Sequence, residues 1–394
     1  MEKPKIRFKG YQEDWEQRKL GDVADVTKLA GFEFTEHVVY SDEGNIIALR
    51  GLNIKNGQLI LDDVKYIDGS NFSKLSRSKL FIDDIMFTYV GTVGEVAIIK
   101  ENDRFYLAPN VSRIRVKSDD SPKFISHYMR TDNFKNKIIF PLIATSSQPA
   151  LSMENIRKFT INIPINKEEQ DCLAKYFDSL DHLITLHQRK CEEMKTLKKY
   201  MLQKMFPQNG QLVPQIRFSG FTEDWEQRKV SELCSISTGK SNTQDKVEDG
   251  EYPFYVRSPI IERSTKYLYD EEAVITVGDG VGTGKVFHYV NGKYDLHQRC
   301  YRMYGFSDEL NAHYFYHTFS KLFYKRVMAM TAKTSVDSVR LEMISDMKIP
   351  VPNVEEQRKI GNLLDGIDHL ITLHQQKCDE LRNIKKFMLQ NMFI

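Results

Sequence analysis

A chain of 394 residues is too long for one hydrophobic core, so two or three domains are expected. Its 41% hydrophobic and 28% charged residues exclude wholesale disorder, and its net charge of +2 gives no global argument for nucleic-acid binding. Five scattered cysteines without CxxC spacing indicate reduced thiols. The charged start, broken by Pro4, predicts no signal peptide, and no apolar run approaches the ~18 residues that span a membrane. We therefore expect a cytoplasmic protein with no membrane partner.

The first feature along the chain is an opening motif that occurs twice. Residues 6–19 read IRFKGYQEDWEQRK, and residues 216–229 read IRFSGFTEDWEQRK. Trp15 and Trp225, the two tryptophans of the chain, hold the same place in the motif. We interpret them as aromatic anchors that pin the start of each following body to its core, in preference to ligand contacts.

The first body, roughly residues 20–165, is rich in predicted strands. β-branched and aromatic runs between Gly, Asn and Asp predict strands at residues 45–54, 85–91, 95–100, 111–116 and 159–165. Helical spacing predicts a helix over residues 121–139, with Ser121 as its cap and Pro122 at its first position.

The second body, roughly residues 230–350, follows the same plan. Strands are predicted at residues 251–258, 273–278, 285–290, 300–305 and 347–352, and a helix over 310–328. A loop of small polar residues follows each body helix, at 145–150 and 331–335. A sheet and a helix occurring twice predict the α+β class.

Each body is followed by a repeated segment of about 39 residues. Residues 168–206 recur 187 positions later as residues 355–393, and DHLITLH is identical in both copies. Apolar residues alternate at steps of four and three, which predicts two helices, each ~58 Å long, that pair as a coiled coil. In the first copy seven Lys and Arg balance seven Asp and Glu, so the helix is not expected to grip DNA phosphates.

The seam of this helix pair has polar residues at its centre. The predicted pairing residues are Leu180, Ile184, His187, Cys191, Ile367, Ile371, His374 and Cys378. His187 and His374 are the midpoints of the two segments, so antiparallel pairing about the centres would bring them together and fix the register. The i,i+4 spacing of His and Cys also suits metal ligation, but we favour a polar notch in the seam and predict no metal site.

The repeats define the predicted domain boundaries. They are target-recognition domain 1 (1–166), spacer helix 1 (167–206), a polar linker (207–215), target-recognition domain 2 (216–353) and spacer helix 2 (354–394).

Glycine-rich turns occur at equivalent places in the two bodies. GDGVGTGK (278–285) is not a phosphate-binding P-loop, because Asp279 replaces a required Gly and Val286 the Mg²⁺-binding Ser or Thr. GTVG (91–94) also lies between two predicted strands. Two interpretations stay open: a hairpin turn alone, or a loop that lies against a nucleic-acid backbone or base edge.

The chain offers little for catalysis, and no catalytic residue is predicted. Asp63 and Lys65 form a DxK fragment of the kind nucleases use, but no partner carboxylate precedes it. No Ser/His/Asp elbow or HExxH motif is present.

Direct readout of bases needs polar side chains on exposed loops. Candidates for DNA binding in the first body are Arg50, Asn53, Arg77, Gly91, Thr92, Gly94, Arg104, Asn110, Ser112, Arg113, Thr145, Ser146, Ser147 and Gln148. Candidates in the second body are Arg257, Ser258, Asp279, Gly280, Thr283, Lys285, His297, Gln298, Arg299, Lys333, Thr334 and Ser335. Each of these residues alone is more typical of a solvated surface. Their parallel placement in the two bodies strengthens the interpretation that the group as a whole binds DNA.

The duplicated order resembles the specificity (S) subunit of type I restriction–modification systems over essentially the whole chain. The matching features are the openings (Trp15 to Gly21, Trp225 to Leu233), the turn GTVGEV (91–96) and the P-x-x-E-E-Q helix start at 352–357. The first copy departs from that helix start, with Pro164 one residue earlier than the pattern.

The resemblance implies two recognition domains, each reading half of a split double-stranded DNA site, spaced by two antiparallel helices about a pseudo-twofold axis. It implies no catalysis and no cofactor in this chain. S-adenosylmethionine, ATP and Mg²⁺ belong to two methyltransferase subunits and to restriction/translocase subunits. Two other interpretations remain. One is a free-standing, repressor-like DNA-binding pseudo-dimer, and the other is a nuclease, which the absence of a metal-binding constellation from the sequence argues against.

Overall fold

The computed structural model describes residues 3–143, 149–208, 211–280, 282–330 and 338–394, which fall into two compact units. The first unit comprises Met1–Leu186 with Lys377–Ile394, and the second comprises His187–Gln376. Both contain strands and helices, which confirms the predicted α+β class. Each unit takes its own body, half of the first long helix and half of the second.

The first unit is built mainly from short antiparallel strands. Its strands are β1 (Trp15–Lys19), β2 (Ala24–Lys28), β3 (Ile47–Leu49), β4 (Ile54–Lys55), β5 (Gln58–Leu59), β6 (Lys65–Tyr66), β7 (Ile85–Thr88), β8 (Val96–Ile98), β9 (Phe105–Leu107), β10 (Val111–Val116) and β11 (Thr160–Pro164). Its helices are α1 (Leu20–Val23), α2 (Gly31–His37), α3 (Pro122–Met129), α4 (Asp132–Phe134), α5 (Met153–Arg157) and the start of α6 (Lys167–Lys204). The central sheet has the order β2-β10-β7-β8, and a second sheet the order β6-β3-β9.

The helix predicted over residues 121–139 is interrupted. α3 ends at Met129, and the side chain of Thr131 accepts a hydrogen bond from the Phe134 amide, which caps the new helix α4. Ser121 occupies the predicted N-cap position but makes no side-chain capping bond. The side chain of a cap residue accepts a hydrogen bond from a backbone amide that would otherwise bond to a carbonyl of the preceding turn. A cap residue in the middle of a helical pattern can therefore end one helix and start another.

The second unit contains a larger sheet of six strands. Its strands are β12 (Glu226–Lys229), β13 (Ser235–Thr238), β14 (Tyr252–Tyr255), β15 (Ile261–Ser264), β16 (Tyr269–Val277), β17 (Phe287–Leu296), β18 (Cys300–Tyr304) and β19 (Lys348–Val351). Its helices are α7 (Val230–Leu233), α8 (Ala312–Ala329), α9 (Leu341–Ser345) and part of α10 (Val354–Met392). The sheet order is β13-β18-β16-β17-β14-β15, and β16 and β17 are longer than the sequence predicted.

The tryptophans of the opening motif anchor each body, as predicted. Trp15 is 3% exposed and packs edge-on against Phe124 of α3 and Phe393. Trp225 is 1% exposed and packs in the same way against Phe206 and Tyr314 of α8. In each unit the ring thus joins the opening strand, the body helix and the end of a long helix in one apolar core.

The EEQ sequence at the start of each long helix is explained by two buried contacts. The carboxylate of Glu169 accepts hydrogen bonds from Nε (2.7 Å) and Nη2 (2.8 Å) of Arg7. The carboxylate of Glu356 accepts hydrogen bonds from Nε (2.7 Å) and Nη2 (2.9 Å) of Arg217. Such bidentate pairs hold a buried carboxylate in one orientation.

The glutamine that follows in each copy forms a hydrogen bond to the start of the body helix. The Oε1 of Gln170 accepts from the Ser121 amide at 2.8 Å, and the Oε1 of Gln357 accepts from the Asn311 amide at 2.9 Å. The Nε2 of each glutamine donates to the carbonyl of the proline, Pro164 or Pro352, that precedes the long helix. One side chain therefore connects strand end, body helix and long helix in both units.

The long helices α6 and α10 contact each other in antiparallel orientation, as predicted. In the second unit the Sγ of Cys191 lies 3.8 Å from the carbonyl oxygen of Ile371, and in the first the Sγ of Cys378 lies 3.6 Å from that of Ile184. Residue numbers rise along one helix as they fall along the other. Leu180 and Ile367, two of the predicted pairing residues, are buried.

The two central histidines meet in this seam. The Nδ1 atoms of His187 and His374 are 2.9 Å apart. Since only one of two facing nitrogens can carry the shared proton, this bond requires one ring to donate and the other to accept. A polar pair of this kind specifies register because any slip would leave both nitrogens facing apolar neighbours.

A buried histidine joins each body helix to its long helix. In the first unit the Nε2 of His127 lies 2.9 Å from Asp178, and in the second the Nε2 of His317 lies 2.7 Å from Asp365. Both imidazoles are almost inaccessible to solvent. Three residues beyond each aspartate, Asp181 pairs with Lys385 and Asp368 with Lys198, which ties the two long helices together.

Candidate nucleic-acid interface

Four predicted residues of the second body line one cleft of about 440 Å³. They are Arg257, His297, Gln298 and Arg299, and the other lining residues are Asn242, Thr243 and Gln244. They come together because β14 ends before Arg257, β17 ends before His297 and β18 begins after Arg299. The cleft is polar throughout and offers donors and acceptors of the kind that read base edges.

Asp279 holds both arginines of this cleft. Its Oδ1 accepts from Nη1 of Arg257 at 3.3 Å, and its Oδ2 accepts from Nη1 of Arg299 at 3.1 Å. The carboxylate is 16% exposed, whereas the arginine side chains are 46% and 62% exposed. A largely covered anion therefore orients two guanidinium groups whose remaining donors face solvent.

His297 supports the cleft from inside. It is 4% exposed, and its Nδ1 accepts from the Arg299 amide at 3.0 Å. Burial, helped by the nearby Arg257 charge, lowers the pKa of His297, so the ring is neutral at pH 7. Beside it the Nε2 of Gln298 donates to Oδ1 of Asn242 at 2.6 Å, which fixes the orientation of both amides.

The glycine-rich turn follows Asp279 between the antiparallel strands β16 and β17. Gly280 and Gly282 have φ values of +86° and +97°, a conformation that favours glycine. Thr283 is buried, and its hydroxyl donates to the Gly280 carbonyl at 2.6 Å. Lys285 is exposed above the ring of Tyr324, at 4.6 Å.

Ser258 is half-buried, and its hydroxyl lies 3.3 Å from the carbonyl of Ile260 in the same loop. Its side chain therefore shapes the turn after β14.

In the first body the corresponding turn lies between the antiparallel strands β7 and β8. Gly91 and Gly94 have φ values of +81° and +94°, and Gly91 and Thr92 are exposed. The backbone amide of Tyr89 donates a hydrogen bond to the carbonyl oxygen of Asn110 at 3.1 Å. Asn110 is exposed and has a φ of +70°. This turn and Asn110 therefore lie at one edge of the central sheet.

Arg50 lies close to this edge although it follows a strand of the second sheet: β3 and β9 are parallel and end together before Arg50 and Ala108, two residues ahead of Asn110. The Nη2 of Arg50 donates to the Oδ1 and to the carbonyl of Asp63, both at 2.8 Å. The fragment considered for nuclease chemistry is thus divided between two ion pairs, since Lys65 pairs with Asp42.

Three predicted residues of the first body lie inside it. Asn53 is fully buried and donates to the carbonyls of Ile60 and Asp63. Ser112 is fully buried and donates to the Phe87 carbonyl at 3.1 Å. Arg113 is 6% exposed and pairs with Asp25 at 2.6 Å, although burial lowers its pKa. Asn53 therefore supports a loop, whereas Ser112 and Arg113 join β10 to its neighbouring strands β7 and β2.

Two further predicted arginines of the first body are exposed. Arg77 lies beside β2, where its Nη2 is 3.4 Å from Oγ1 of Thr27. Arg104 precedes β9, at the opposite end of that strand from Asn110, and pairs with Glu101 at 2.7 Å.

The remaining predicted candidates lie outside the described residues. They are Thr145, Ser146, Ser147, Gln148, Lys333, Thr334 and Ser335.

Sequence reasoning missed several residues at the two edges. Asn242, Thr243 and Gln244 follow β13 in the polar run SNTQD, which is a signal that the loop end of a strand could have provided. In the first body Lys28, at the end of β2, lies 5.6 Å from the ring of Tyr89. No comparable pattern marks it.

Two further findings concern the described ranges alone. Within them, no group of three or more His, Cys, Asp or Glu residues is placed to hold a metal ion. No helix in those ranges is long and apolar enough to cross a membrane.

A family model described as the type I restriction modification DNA specificity domain matches residues 12–196 and, a second time, residues 222–383. The chain belongs to this family. Two copies of the domain in one chain agree with the duplicated opening motif, body and helix. The resemblance seen in the sequence is confirmed, and the function is that of a type I specificity subunit.

Known specificity subunits resemble this one over different lengths. The type I restriction enzyme MjaVIII specificity subunit of Methanocaldococcus jannaschii is 23% identical over 404 residues, which cover 95% of this chain and 91% of that one. The EcoDI specificity subunit of Escherichia coli is 23% identical over 163 residues, which cover 41% and 35%. The crystal structure of an S subunit from M. genitalium matches with a TM-score of 0.75 at 15% identity, over 100% of this chain and 99% of that one. The specificity-subunit fold is therefore shared.

Proposed function

We propose that each body reads one half of a split, asymmetric double-stranded DNA site. The long helices set the unread spacing and dock two methyltransferase subunits, and restriction/translocase subunits join that complex. The chain itself is non-catalytic and binds no cofactor, so S-adenosylmethionine, ATP and Mg²⁺ act on the partner subunits.

The observation that carries this proposal is the cleft in the second body. A guanidinium fork makes two parallel hydrogen bonds to guanine O6 and N7, and each good pair contributes roughly 1–3 kcal/mol of discrimination. Arg257 and Arg299 are held in advance by Asp279, so little side-chain entropy is lost on binding. Arg50, held by Asp63, gives the first body an edge of the same kind with a different set of loops.

The docking of two like partners is supported by the outer face of the long helices. Leu183 and Leu186 of α6 are 40% and 37% exposed, and their repeat equivalents Leu370 and Leu373 of α10 are 40% and 48% exposed. An apolar pair with the same sequence context on both helices suits two copies of one protein partner.

The test is to co-express the chain with its methyltransferase and map N6-methyladenine across the genome. A split motif is expected, and exchange of residues 230–350 for those of a homologue should change one half of it. Methylation without a motif, or a change in both halves after the exchange, would contradict two independent readers.

The spacing role has a separate test. Removal of seven residues, two helical turns, from equivalent places in α6 and α10 should keep the coiled-coil phase. The unread gap should shorten while both half-sequences stay the same. An unchanged gap would mean that the helices do not set it.

A further inference from the structure

The second unit contains a groove of about 660 Å³ that is separate from the polar cleft around Asp279. It lies along the last turns of α6, next to α8 and α10. Its lining residues are Lys195, Lys198, Lys199, Leu202, Gln203, Gln208, Lys321 and Ile371. Four lysines beside an apolar floor are unusual on helices whose charges otherwise balance.

Lys321 of α8 is the residue that most needs an explanation. Its Nζ has almost no exposed surface and no hydrogen-bond partner within the part of the chain that the structure describes. The amine lies 4.6 Å above the ring of Phe206, and burial lowers its pKa to about 8. A buried ammonium group without an anion is costly unless another molecule supplies the missing charge.

The neighbouring carboxylates do not reach it. Lys195 pairs with Glu192 at 2.7 Å, and Lys198 pairs with Asp368 at 2.6 Å. Lys199 is exposed. With two lysines neutralised by their own partners, Lys199 and Lys321 leave the groove with an excess of positive charge.

The floor of the groove indicates what kind of anion would fit. Leu202 and Ile371 expose apolar surface between the lysines. A free phosphate would gain nothing from that surface, whereas an amphipathic helix can place leucine on the floor and glutamate or aspartate at the rim. The combination therefore favours a protein segment over a small ion.

The repeat supplies an internal comparison. Lys198, Lys199, Leu202, Gln203 and Ile371 recur in the first unit as Lys385, Lys386, Leu389, Gln390 and Ile184. In the alignment of the body helices, Lys321 corresponds to Thr131, which is buried and caps α4. The rim is thus common to both halves of the chain, and the buried amine is specific to the second.

We propose that this groove docks an acidic, amphipathic segment of a protein partner, with Lys321 as its charged anchor. The proposal rests on the proposed function in one respect, since the natural occupant is taken to be a subunit of the same complex. It adds the chemistry of the partner segment and an asymmetry between the two halves.

The test uses the full chain with two variants of α8. Lys321→Met keeps the apolar stem of the side chain, one heavy atom shorter, and removes its charge, and Lys325→Met removes an exposed charge one turn away on the same helix. Two partners are titrated in parallel: the methyltransferase subunit, and a designed amphipathic helix with leucine and glutamate on one face. Lys321→Met should weaken both interactions about tenfold at low salt, and Lys325→Met less than about twofold.

The pH profile gives a readout that a purely structural role would not move. An anchored carboxylate requires a charged Lys321, so wild-type affinity should fall above pH 8, by up to about tenfold per pH unit, because one proton is taken up on binding. Lys321→Met should lose this dependence between pH 8 and 9.5.

The outcomes separate the groove from the wider function. If neither interaction changes with Lys321→Met, or the pH profiles coincide, the groove proposal is overturned. If millimolar inorganic phosphate binds in a manner that depends on Lys321 and neither protein probe does, the site takes a small anion and the proposal is again wrong. If the methyltransferase does not bind wild-type chain while the designed helix binds through Lys321, the proposed function fails and the groove stands.

Discussion

The chain contains two kinds of region: a frame that is duplicated in detail, and two sheet edges that share a glycine turn and an arginine held by an aspartate but differ in their other side chains. The frame uses the same contacts twice, from Arg7–Glu169 and Arg217–Glu356 to the glutamines that join body helix to long helix. The loops around these shared features differ between the two edges.

The frame is repeated and the edges differ because frame residues have more hydrogen-bonding partners than edge residues have. A frame residue such as Gln357 makes three hydrogen bonds that join its own helix to two other segments, the start of α8 and the end of β19, so a change there disturbs all of them. An edge arginine depends on one carboxylate and otherwise faces solvent. Edges can therefore change their specificity while the frame keeps one shape.

The largest effect should come from breaking the frame. Glu356→Gln leaves the charge of Arg217 buried without its carboxylate, and loss of one partner from a buried pair costs about 3–5 kcal/mol. The control Glu355→Gln removes an exposed carboxylate paired with Arg358 and should cost less than about 1 kcal/mol. Urea unfolding measures both. Equal midpoints for the two variants would show that the buried pair does not hold the second unit together.

A smaller effect is expected at an edge. Asp279→Asn frees Arg257 and Arg299 from their anchor, so specific DNA affinity of the assembled complex should fall about tenfold to a hundredfold, or about 1–3 kcal/mol. Unfolding free energy should stay within about 0.5 kcal/mol of wild type. Asp249→Asn removes an equal charge from an exposed position in the same body and is the control.

Binding should be measured against a site and a scrambled duplex. If Asp279→Asn and Asp249→Asn change both affinities alike, Asp279 acts through net charge and does not orient the arginines.

The frame could be predicted from the sequence because repetition makes it visible. The matching positions of Trp15 and Trp225, the heptad spacing and the central histidines each indicated a contact that the structure contains. The interruption at Thr131 was missed because a cap inside a helical pattern competes with periodicity, and only tertiary packing decides between them.

The edges could be predicted only in part. Loop placement identified Arg257 and Arg299, but residue type could not distinguish them from Arg113, which is buried beside Asp25. Asn53 and Ser112 look equally suitable for base contacts in sequence, yet their bonds are all used within the body. Which polar group faces outward depends on strand pairing, and one residue of register reverses the answer.

The smallest effect concerns the histidine that joins α3 to α6. Arg130 donates to Nδ1 of His127 at 3.2 Å, so the ring carries its proton on Nε2 and donates it to Asp178. Burial lowers the pKa of His127, so the folded state resists a proton that the unfolded chain binds below about pH 6.5. The contribution of His127 to the free energy of unfolding is therefore fully present above that pH and declines as the pH falls, by up to about 1.4 kcal/mol per pH unit.

His127→Gln keeps a donor for Asp178 and an acceptor for Arg130 without a titrating group. The urea midpoint of this variant should depend less on pH between 6.5 and 5 than that of the wild type, by about 1 kcal/mol over that interval. His182→Gln, on the exposed surface of α6, should follow the wild-type profile and is the control. If His127→Gln also follows that profile, His127 is protonated in the folded state and the first unit holds a charged pair where the geometry indicates a neutral donor.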